Sequence, residues 1–339
     1  MATIGNGNAT LVDIIKTTAP DGSILDVAEI LSQNNAIIDD LICVEANSTT
    51  SHVESVRTGL PSVYWRQYNL GTPTSKATSA QVNEPMAMLE SRSYVDLKLA
   101  SLNNNSAAWR MKEDAAFVEA MGQEVVSKLF NGNVGVDMKT FSGFATRYSS
   151  TTAGNGQNVI LAGGSGADNS SMYLVGWGKN SVFCTYPKGS TAGLSVRDLG
   201  EQAVRDANGN EFQALRTMFN WDIGLVVKDW RYACRIANID VSDFLGVTGT
   251  QAATSATNVL KLMTKAIARM PSLGGANFAF YCNRSIGEGL MIQALDKSNA
   301  ALSVQSALTQ FGSNIMELKF LGIPVRIVDQ LSIAETLVV

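Results

Sequence analysis

Residues 106–132, SAAWRMKEDAAFVEAMGQEVVSKLFNG, are the stretch that decides how the rest of the sequence is interpreted. Their apolar side chains recur at helical spacing, and Ser106 or Asn105 can cap the first amides, so the stretch predicts one long helix. Asn131-Gly132 predicts a left-handed residue that ends this helix. The apolar stripe of the predicted helix consists of Met111, Ala115, Val118, Gly122, Val125, Val126 and Leu129.

The composition indicates a protein that works through contacts with other protein surfaces. Of the 339 residues, 45% are hydrophobic and only 17% are charged, against about a quarter in a typical chain. Neutral polar surface of this kind costs little to desolvate. The net charge of −4 argues against a basic coat that neutralises phosphates, but it is compatible with a protein that encloses nucleic acid without gripping it.

The sequence offers no pattern of catalytic, cofactor-binding or metal-binding residues. Its four cysteines are far apart and predict buried, reduced thiols, and its single histidine, His52, predicts a structural hydrogen-bonding role. The glycine-rich loop at 163–166 lacks the ends of a phosphate loop and of a hydrolase elbow, so it predicts a turn between strands. We therefore expect no metal, no cofactor and no catalytic residue.

The N-terminal residues lack the basic and apolar regions of a signal peptide, and no apolar run approaches the roughly 20 residues of a membrane helix. The sequence therefore predicts a protein made and assembled in the cytoplasm. Helical spacing at 10–17 and 24–31, before any strand, is typical of an arm. The adjacent acids Asp39 and Asp40 point in different directions on a helix, which favours a solvated face over an acid/base pair.

Residues 47–102 predict a long β-hairpin whose end has nothing to bury within its own chain. Alternation at 63–68 and at 95–99 predicts its two strands, and the polar segment 71–80 predicts its tip. Because an isolated two-stranded ribbon is marginally stable in water, we expect the hairpin to lie on another surface.

Four residues of this hairpin are predicted to make contacts between subunits: Tyr64, Trp65, Tyr68 and Lys76. Aromatic side chains are enriched in the cores of protein interfaces, which favours an intersubunit role for the first three. The alternative is a surface hairpin folded back on its own domain.

The remainder of the chain predicts an α+β fold. Asp206–Asn210 is a hairpin turn, Ser285 and Glu288 form a capping box, and Pro324 marks an edge strand or a bend. Arg231 and Arg235 could bind an anion or pair with carboxylates such as Asp229 or Asp240. Strands are predicted at 158–161, 172–177, 180–185, 276–282 and 316–328, and helices at 257–270 and 285–295.

The order of these elements resembles that in the major capsid proteins of tailed bacteriophages, in particular short-tailed ones, which have the Hong Kong 97-type fold. Several phrases are similar to runs in those proteins. They are Tyr186-Pro-Lys-Gly-Ser190, Asp198-Leu-Gly200, Val204-Arg-Asp206, Asp229-Trp-Arg231, Arg235-Ile-Ala-Asn-Ile-Asp240 and Phe320-Leu-Gly-Ile-Pro-Val325. The resemblance extends over essentially the whole chain.

This resemblance implies a division of the chain into five parts. They are an N-terminal arm (1–46), an extended hairpin loop (47–102), the spine helix of a peripheral domain (103–140), an axial domain (141–300) and C-terminal strands that return to the peripheral domain (301–339). It also implies self-assembly into pentamers and hexamers of an icosahedral head that encloses double-stranded DNA.

The resemblance further implies a virion protein assembled in the host bacterial cytoplasm, with scaffold, portal and decoration proteins as possible partners and no membrane. In one variant of the family a lysine and an asparagine crosslink subunits. Lys76 could be that lysine, but no glutamate occupies a matching catalytic position, so a solvated or salt-bridging tip residue is favoured.

Two other functions remain open from the sequence. A cellular nanocompartment shell, similar to an encapsulin, would have the same fold. An α+β hydrolase would need a nucleophile and a base, for which the sequence offers only an unsupported carboxylate pair, Glu288 and Asp296.

Overall fold

A computed structural model describes residue 33 and residues 35–101, 106–205, 209–245, 259–294, 302–308 and 314–339. The helices predicted at 10–17 and 24–31, and with them most of the N-terminal arm, lie outside these residues. So do Asn105, Asp206 and Asp296. Within the described ranges, no helix is long and apolar enough to cross a membrane.

The described chain contains both helices and strands, as an α+β sequence predicts. The α-helices are Ile37–Asp40 (α1), Leu97–Ala100 (α2), Ser106–Asn131 (α3), Phe144–Arg147 (α4), Val241–Leu245 (α5), Val259–Ala268 (α6) and Arg284–Ala294 (α7).

The first strands are Cys43–Glu45 (β1), Ser51–Gly59 (β2), Thr78–Pro85 (β3), Ala87–Asp96 (β4), Val159–Leu161 (β5), Asn169–Trp177 (β6) and Val182–Tyr186 (β7). They are followed by Leu194–Arg205 (β8), Glu211–Val227 (β9), Ala233–Asp240 (β10), Asn277–Cys282 (β11), Leu302–Leu308 (β12), Asn314–Phe320 (β13) and Ile323–Ile327 (β14).

One large mixed sheet organises the subunit. Its order is β12-β13-β14-β11-β6-β7-β9-β4, while β1 pairs with β7, β5 with β10, β10 also with β6, and β8 with β9. The alternation of β6 divides the core. Tyr173 and Val175 face the cluster that contains the end of α3, and Met172 and Leu174 face the cluster that contains α6 and α7. Because both faces are covered, every residue of β6 is buried.

The two halves of α3 pack differently. In the second half, Val125, Val126 and Leu129 are buried as the apolar stripe predicts. In the first half the prediction is wrong, because Met111 is 74% and Val118 is 40% exposed. There the helix presents a polar and aromatic side to the sheet instead.

The contacts of the first half of α3 run to the ribbon formed by β8 and β9. Phe117 stacks on Phe219 with ring centroids 5.7 Å apart, and the Arg110 guanidinium lies 2.9 Å from the carboxylate of Asp198. Burial raises the pKa of Asp114, which lies beside Arg110 on the same side of the helix. A helix that leaves an apolar core for a polar ribbon needs a different buried face, which a single apolar stripe does not reveal.

Gly132 follows the last residue of α3, as predicted, but glycine is needed there for a different reason. Its φ is not in the left-handed region. A Cβ at this position would instead lie 2.3 Å from the carbonyl oxygen of Phe141 and 2.5 Å from that of Lys128. Glycine is needed here because two backbone segments approach closely.

Gly132→Ala should destabilise the subunit by about 1–3 kcal/mol, because the added methyl group pushes two backbone segments apart. Gly122→Ala is the matched control in the same helix. There the new Cβ would meet only Ile38 Cδ1 at 3.8 Å, so the change should be neutral or stabilising by roughly 0.5–1 kcal/mol. Denaturant unfolding of unassembled subunits measures both, and equal stabilities would contradict the close-approach argument.

The strands of the predicted hairpin differ from those observed. Residues 63–68 form no strand, and the hairpin consists of β2 and β3, while β4 leaves it to pair with β9. At the end of β4, Asp96 caps α2 by accepting from the Lys98 and Leu99 amides. Strand β3 is exposed up to Asn83, and β2 is mostly half-buried without a regular alternation. Neither strand therefore shows the apolar period of a core strand, and the alternation at 63–68 lies in a loop.

Other turns and strands follow the sequence. The strands expected within 158–185, 276–282 and 316–328 are present. The predicted capping residue of α7 is wrong. Asn283, not Ser285, accepts the first free amide. Pro324 is not in an edge strand, since β14 lies between β13 and β11. It is tolerated because the pairing with β11 begins only at Val325.

Candidate intersubunit surface

The hairpin β2–β3 is a separate two-stranded sheet. Its strands pair in antiparallel register from Ser51 opposite Pro85 to Gly59 opposite Thr78. Every residue from 60 to 83 is exposed. A ribbon of two strands buries too little surface to be stable by itself in water, so its stability depends on what else it contacts.

The loop at the end of the hairpin, residues 60–77, carries the aromatic residues that the sequence predicts as contacts. Trp65 is fully exposed, Tyr68 is 99% exposed and Tyr64 is 52% exposed. Leu60, Val63 and Leu70 on the same loop are also exposed. An apolar group of this size, uncovered in the subunit, is typical of a surface that another protein covers.

Local hydrogen bonds give this loop a defined shape. The Ser75 hydroxyl donates to the Ser62 carbonyl oxygen at 2.7 Å and joins its two limbs. Asn69 adopts a left-handed conformation (φ 63°) in the turn that Leu70 closes by donating to Gln67. The structure therefore brings Tyr64, Trp65 and Tyr68 together on one limb of the loop, and it places Lys76, also exposed, on the other limb.

At its root, β3 is attached to the body of the subunit by a buried ion pair. Both guanidinium NH groups of Arg147 donate to the two carboxylate oxygens of Glu84, at 2.7 and 2.6 Å. Arg147 also donates to the carbonyl oxygens of Ser142 and Leu225. Glu84 is only 7% exposed. The two-pronged geometry fixes direction as well as distance.

A second charged group attaches β2. Glu54 Oε1 lies 3.1 Å from His52 Nε2 and 3.2 Å from Lys228 Nζ. Partial burial favours the neutral carboxyl, but hydrogen bonds from His52 and Lys228 outweigh this effect and lower the pKa of Glu54. The other nitrogen of His52 accepts from the Asn47 amide, and its ring packs edge-on against Phe183. The structural role predicted for His52 is confirmed.

Sequence reasoning identified His52 but not the roles of Glu84, Arg147 and Lys228. The one available signal is the spacing of His52 and Glu54, since residues two apart in a strand point to the same face. The Glu84–Arg147 pair joins positions 63 residues apart, and no local pattern reveals it.

Three kinds of group that could carry chemistry can be checked in the structure: metal ligands, thiols and the glycine-rich loop. Within the described ranges, no three His, Cys, Asp or Glu side chains converge as metal ligands. Burial raises the pKa of Cys234 and of Cys282 to about 12, which keeps these thiols protonated, whereas Cys43 is exposed, contrary to the prediction. The glycine-rich loop forms a turn between β5 and β6, as predicted, with Gly163 at φ 93°.

A family model described as "Major capsid protein GP7" matches residues 19–339. Among solved structures, a near-atomic cryo-EM structure of bacteriophage Epsilon15 is similar over 97% of this chain and 97% of its own, with 30% identity and a TM-score of 0.71. No curated protein matches the sequence.

Two more distant structures have lower similarity. The capsid of bacteriophage JBD30 is 10% identical, with coverage of 90% of this chain and 95% of the other and a TM-score of 0.47. The SrpI encapsulin of Synechococcus elongatus PCC 7942 is 9% identical, with coverage of 68% and 95% and a TM-score of 0.44.

Proposed function

The chain belongs to the family of the major capsid protein GP7, and on this basis we propose that it builds an icosahedral head from pentamers and hexamers of one subunit. It is a phage major capsid protein with the Hong Kong 97-type fold, and it forms the capsid lattice of the virion. The family match favours this function over a nanocompartment shell. In the proposed head, double-stranded DNA is enclosed without sequence-specific binding, in keeping with the net charge of −4.

The observation that supports the assembly mode best is the uncovered loop of the hairpin. The 18-residue loop exposes Trp65 and Tyr68 almost completely, so these side chains are not packed on the described part of their own subunit. In a lattice every subunit presents this loop to a neighbour, so the same contact is made at each equivalent position. We therefore assign Tyr64, Trp65 and Tyr68 to an intersubunit contact and Lys76 to its solvated margin.

The division of the chain into an arm (1–46), a hairpin loop (47–102), a spine segment (103–140), an axial domain (141–300) and C-terminal strands (301–339) is part of the proposal. Helix α3 supports the spine assignment. The pairing of β4 argues for an earlier end of the hairpin loop than residue 102. Residues 87–96 pair with β9, and the two-stranded hairpin comprises residues 51–85.

Further partners and the site of assembly are also proposed on the family relationship alone. They are scaffold, portal and decoration proteins, and assembly in the host cytoplasm. We propose a purely structural role without enzymatic activity. Lys76 then forms no crosslink, and His52, hydrogen-bonded to the Asn47 amide and to Glu54, has a structural role.

Electron microscopy and sedimentation of the chain expressed alone test the proposed assembly. The unaltered chain should give closed shells, or rings of five and six subunits. Trp65→Ser with Tyr68→Ser should shift at least 90% of the protein to unassembled subunits, because the contact loses its two largest apolar side chains. Trp65→Phe with Tyr68→Phe is the matched control and should assemble. Normal shells from the double serine variant would overturn the assignment.

A further inference from the structure

We propose that Arg147 and Lys228 are positioning residues for capsid assembly. Each holds one carboxylate of the hairpin, Glu84 on β3 and Glu54 on β2. We call these four residues the hairpin clamp. The inference rests on the proposed intersubunit role of the hairpin loop. It explains what fixes the direction in which the hairpin leaves the body of the subunit.

The clamp lies at one cross-section of the ribbon. His52 on β2 is directly opposite Glu84 on β3, and Glu54 follows two residues further along β2. Each strand thus contributes one carboxylate near the point where the ribbon leaves the body. Attachment of both strands resists rotation about the ribbon axis, which attachment of one strand would allow.

Both cations are fixed to the same strand of the large sheet. Lys228 directly follows β9, and its amide donates to the carbonyl oxygen of Ser181 at 2.9 Å. Arg147 donates to the carbonyl oxygen of Leu225 within β9 at 3.1 Å. The clamp therefore fixes the direction of the hairpin relative to β9, and residues 223–226 of β9 are buried in the core.

Beyond the clamp the ribbon makes no strand pairing with the rest of the described chain. From His52 to Trp65 an extended chain spans at most roughly 40 Å, so a rotation of about 10° at the root would move the tip by roughly 7 Å. A displacement of that size separates side chains that should be in contact. Accurate placement of the loop hence depends on the geometry of the clamp.

The chemistry of the clamp is suited to fixing an angle. The planar guanidinium of Arg147 meets Glu84 through two parallel hydrogen bonds, and a lysine at this position would keep the charge but lose the fixed plane. Lys228, 35% exposed at its side chain, supplies a point charge to Glu54, to which His52 adds a directed hydrogen bond.

The first test combines Glu54→Gln with Glu84→Gln in the full-length chain. Hydrogen exchange of the β2 and β3 amides should accelerate at least tenfold, while that of β6 in the core stays unchanged. Because the loop keeps its contact residues, subunits should still associate, but into shells of mixed size and open sheets. Arg147→Lys should give the same products in smaller amount. Glu211→Gln, at the exposed Arg205–Glu211 pair, is the control and should assemble normally.

A charge exchange tests whether the interaction itself matters. Glu54→Lys places two cations together and should broaden the shell size distribution. Adding Lys228→Glu restores an opposite pair and should narrow the distribution again. Denaturant unfolding of the unassembled variants separates the two roles, since a role limited to general stability would require shell size to follow the free energy of unfolding.

The outcomes separate this inference from the function on which it rests. Uniform shells and unchanged exchange in the double glutamine variant would overturn the clamp, whatever the loop does. If instead the serine variant of Trp65 and Tyr68 assembles normally, the intersubunit role of the loop fails, and the clamp as a positioning device fails with it. Faster hydrogen exchange in β2 and β3 with unaltered shells would also overturn the positioning role, since the angle of the hairpin would then not affect assembly.

Discussion

A subunit in which Asn-Gly replaces residues 60–77 should fold with unchanged stability and form no closed shell. Gly59 and Thr78 are paired across the hairpin, so a two-residue connection can join them directly, and Asn-Gly favours the turn that such a connection requires. The deletion removes the exposed aromatic loop but leaves both strands, the clamp and the core. No buried side chain is lost.

Thermal unfolding and sedimentation together measure this result. The melting temperature of the unassembled variant should lie within about 2 °C of that of the unassembled parent chain, because surface changes that touch nothing buried have small effects. A large drop in the melting temperature would mean that the loop packs on its own subunit. Closed shells from the shortened chain would contradict the intersubunit role directly.

Arg235→Met should destabilise the subunit by about 3–5 kcal/mol, since it leaves a buried carboxylate without its cation. The Arg235 side chain is 5% exposed and lies 2.8 Å from Glu335 Oε2. It also donates to the hydroxyl of Ser171 and to the carbonyl oxygens of Ala145 and Tyr148. These contacts join the C-terminal segment to β6, β10 and α4.

The control is Arg231→Met, four residues earlier. The Arg231 side chain is 54% exposed, and within the described part of the chain its ion pair is with Asp229, two residues earlier, so its loss should cost below about 1 kcal/mol. Denaturant unfolding of unassembled subunits compares the two. Arg235→Met with Glu335→Leu should recover part of the loss, because no unpaired charge then remains. Equal effects of the two single arginine variants would refute the buried-pair argument.

The same two arginines show where the sequence predicts contacts and where it does not. Arg231 pairs with Asp229, as expected, because Asp229 caps the short 3-10 helix Trp230–Tyr232 that contains Arg231, and the two side chains meet by local geometry. Arg235 does not pair with Asp229 or Asp240 but with Glu335, 100 residues away. Only the complete fold brings such groups together, so neither composition nor spacing could identify the partner.

The long helix and the core strands β5, β6, β7, β11, β13 and β14 lie close to their predicted ranges, and the turn motif at 206–210 predicts the hairpin β8–β9. The long strand β9 and the buried strand β10 are not predicted as strands, because neither has a clear alternation of apolar and polar residues. The free hairpin was located in the right part of the chain but with the wrong strands. Strand β3 is exposed over most of its length and β2 is mostly half-buried, so neither strand has the alternating burial that a sequence pattern could reveal.

The residues of the candidate contact surface likewise differ in how far the sequence reveals them. The cluster of Tyr64, Trp65 and Tyr68 is visible in the sequence, because three aromatic residues lie close together in the segment predicted as a hairpin. Their intersubunit contact stays a prediction. The clamp could not be found, because its charges come from four separate elements of the fold. Family resemblance supplied the architecture that neither signal gives.

Strand β9 has a mechanical consequence. It runs for 17 residues, pairs with β4 and β8 along one part and with β7 along the other, and receives both cations that hold the hairpin. In the proposed lattice, a pull on the hairpin would pass through the clamp to β9, and the backbone hydrogen bonds to β4, β7 and β8 would share the load. Tension between neighbouring subunits would then reach the sheet at the centre of each one.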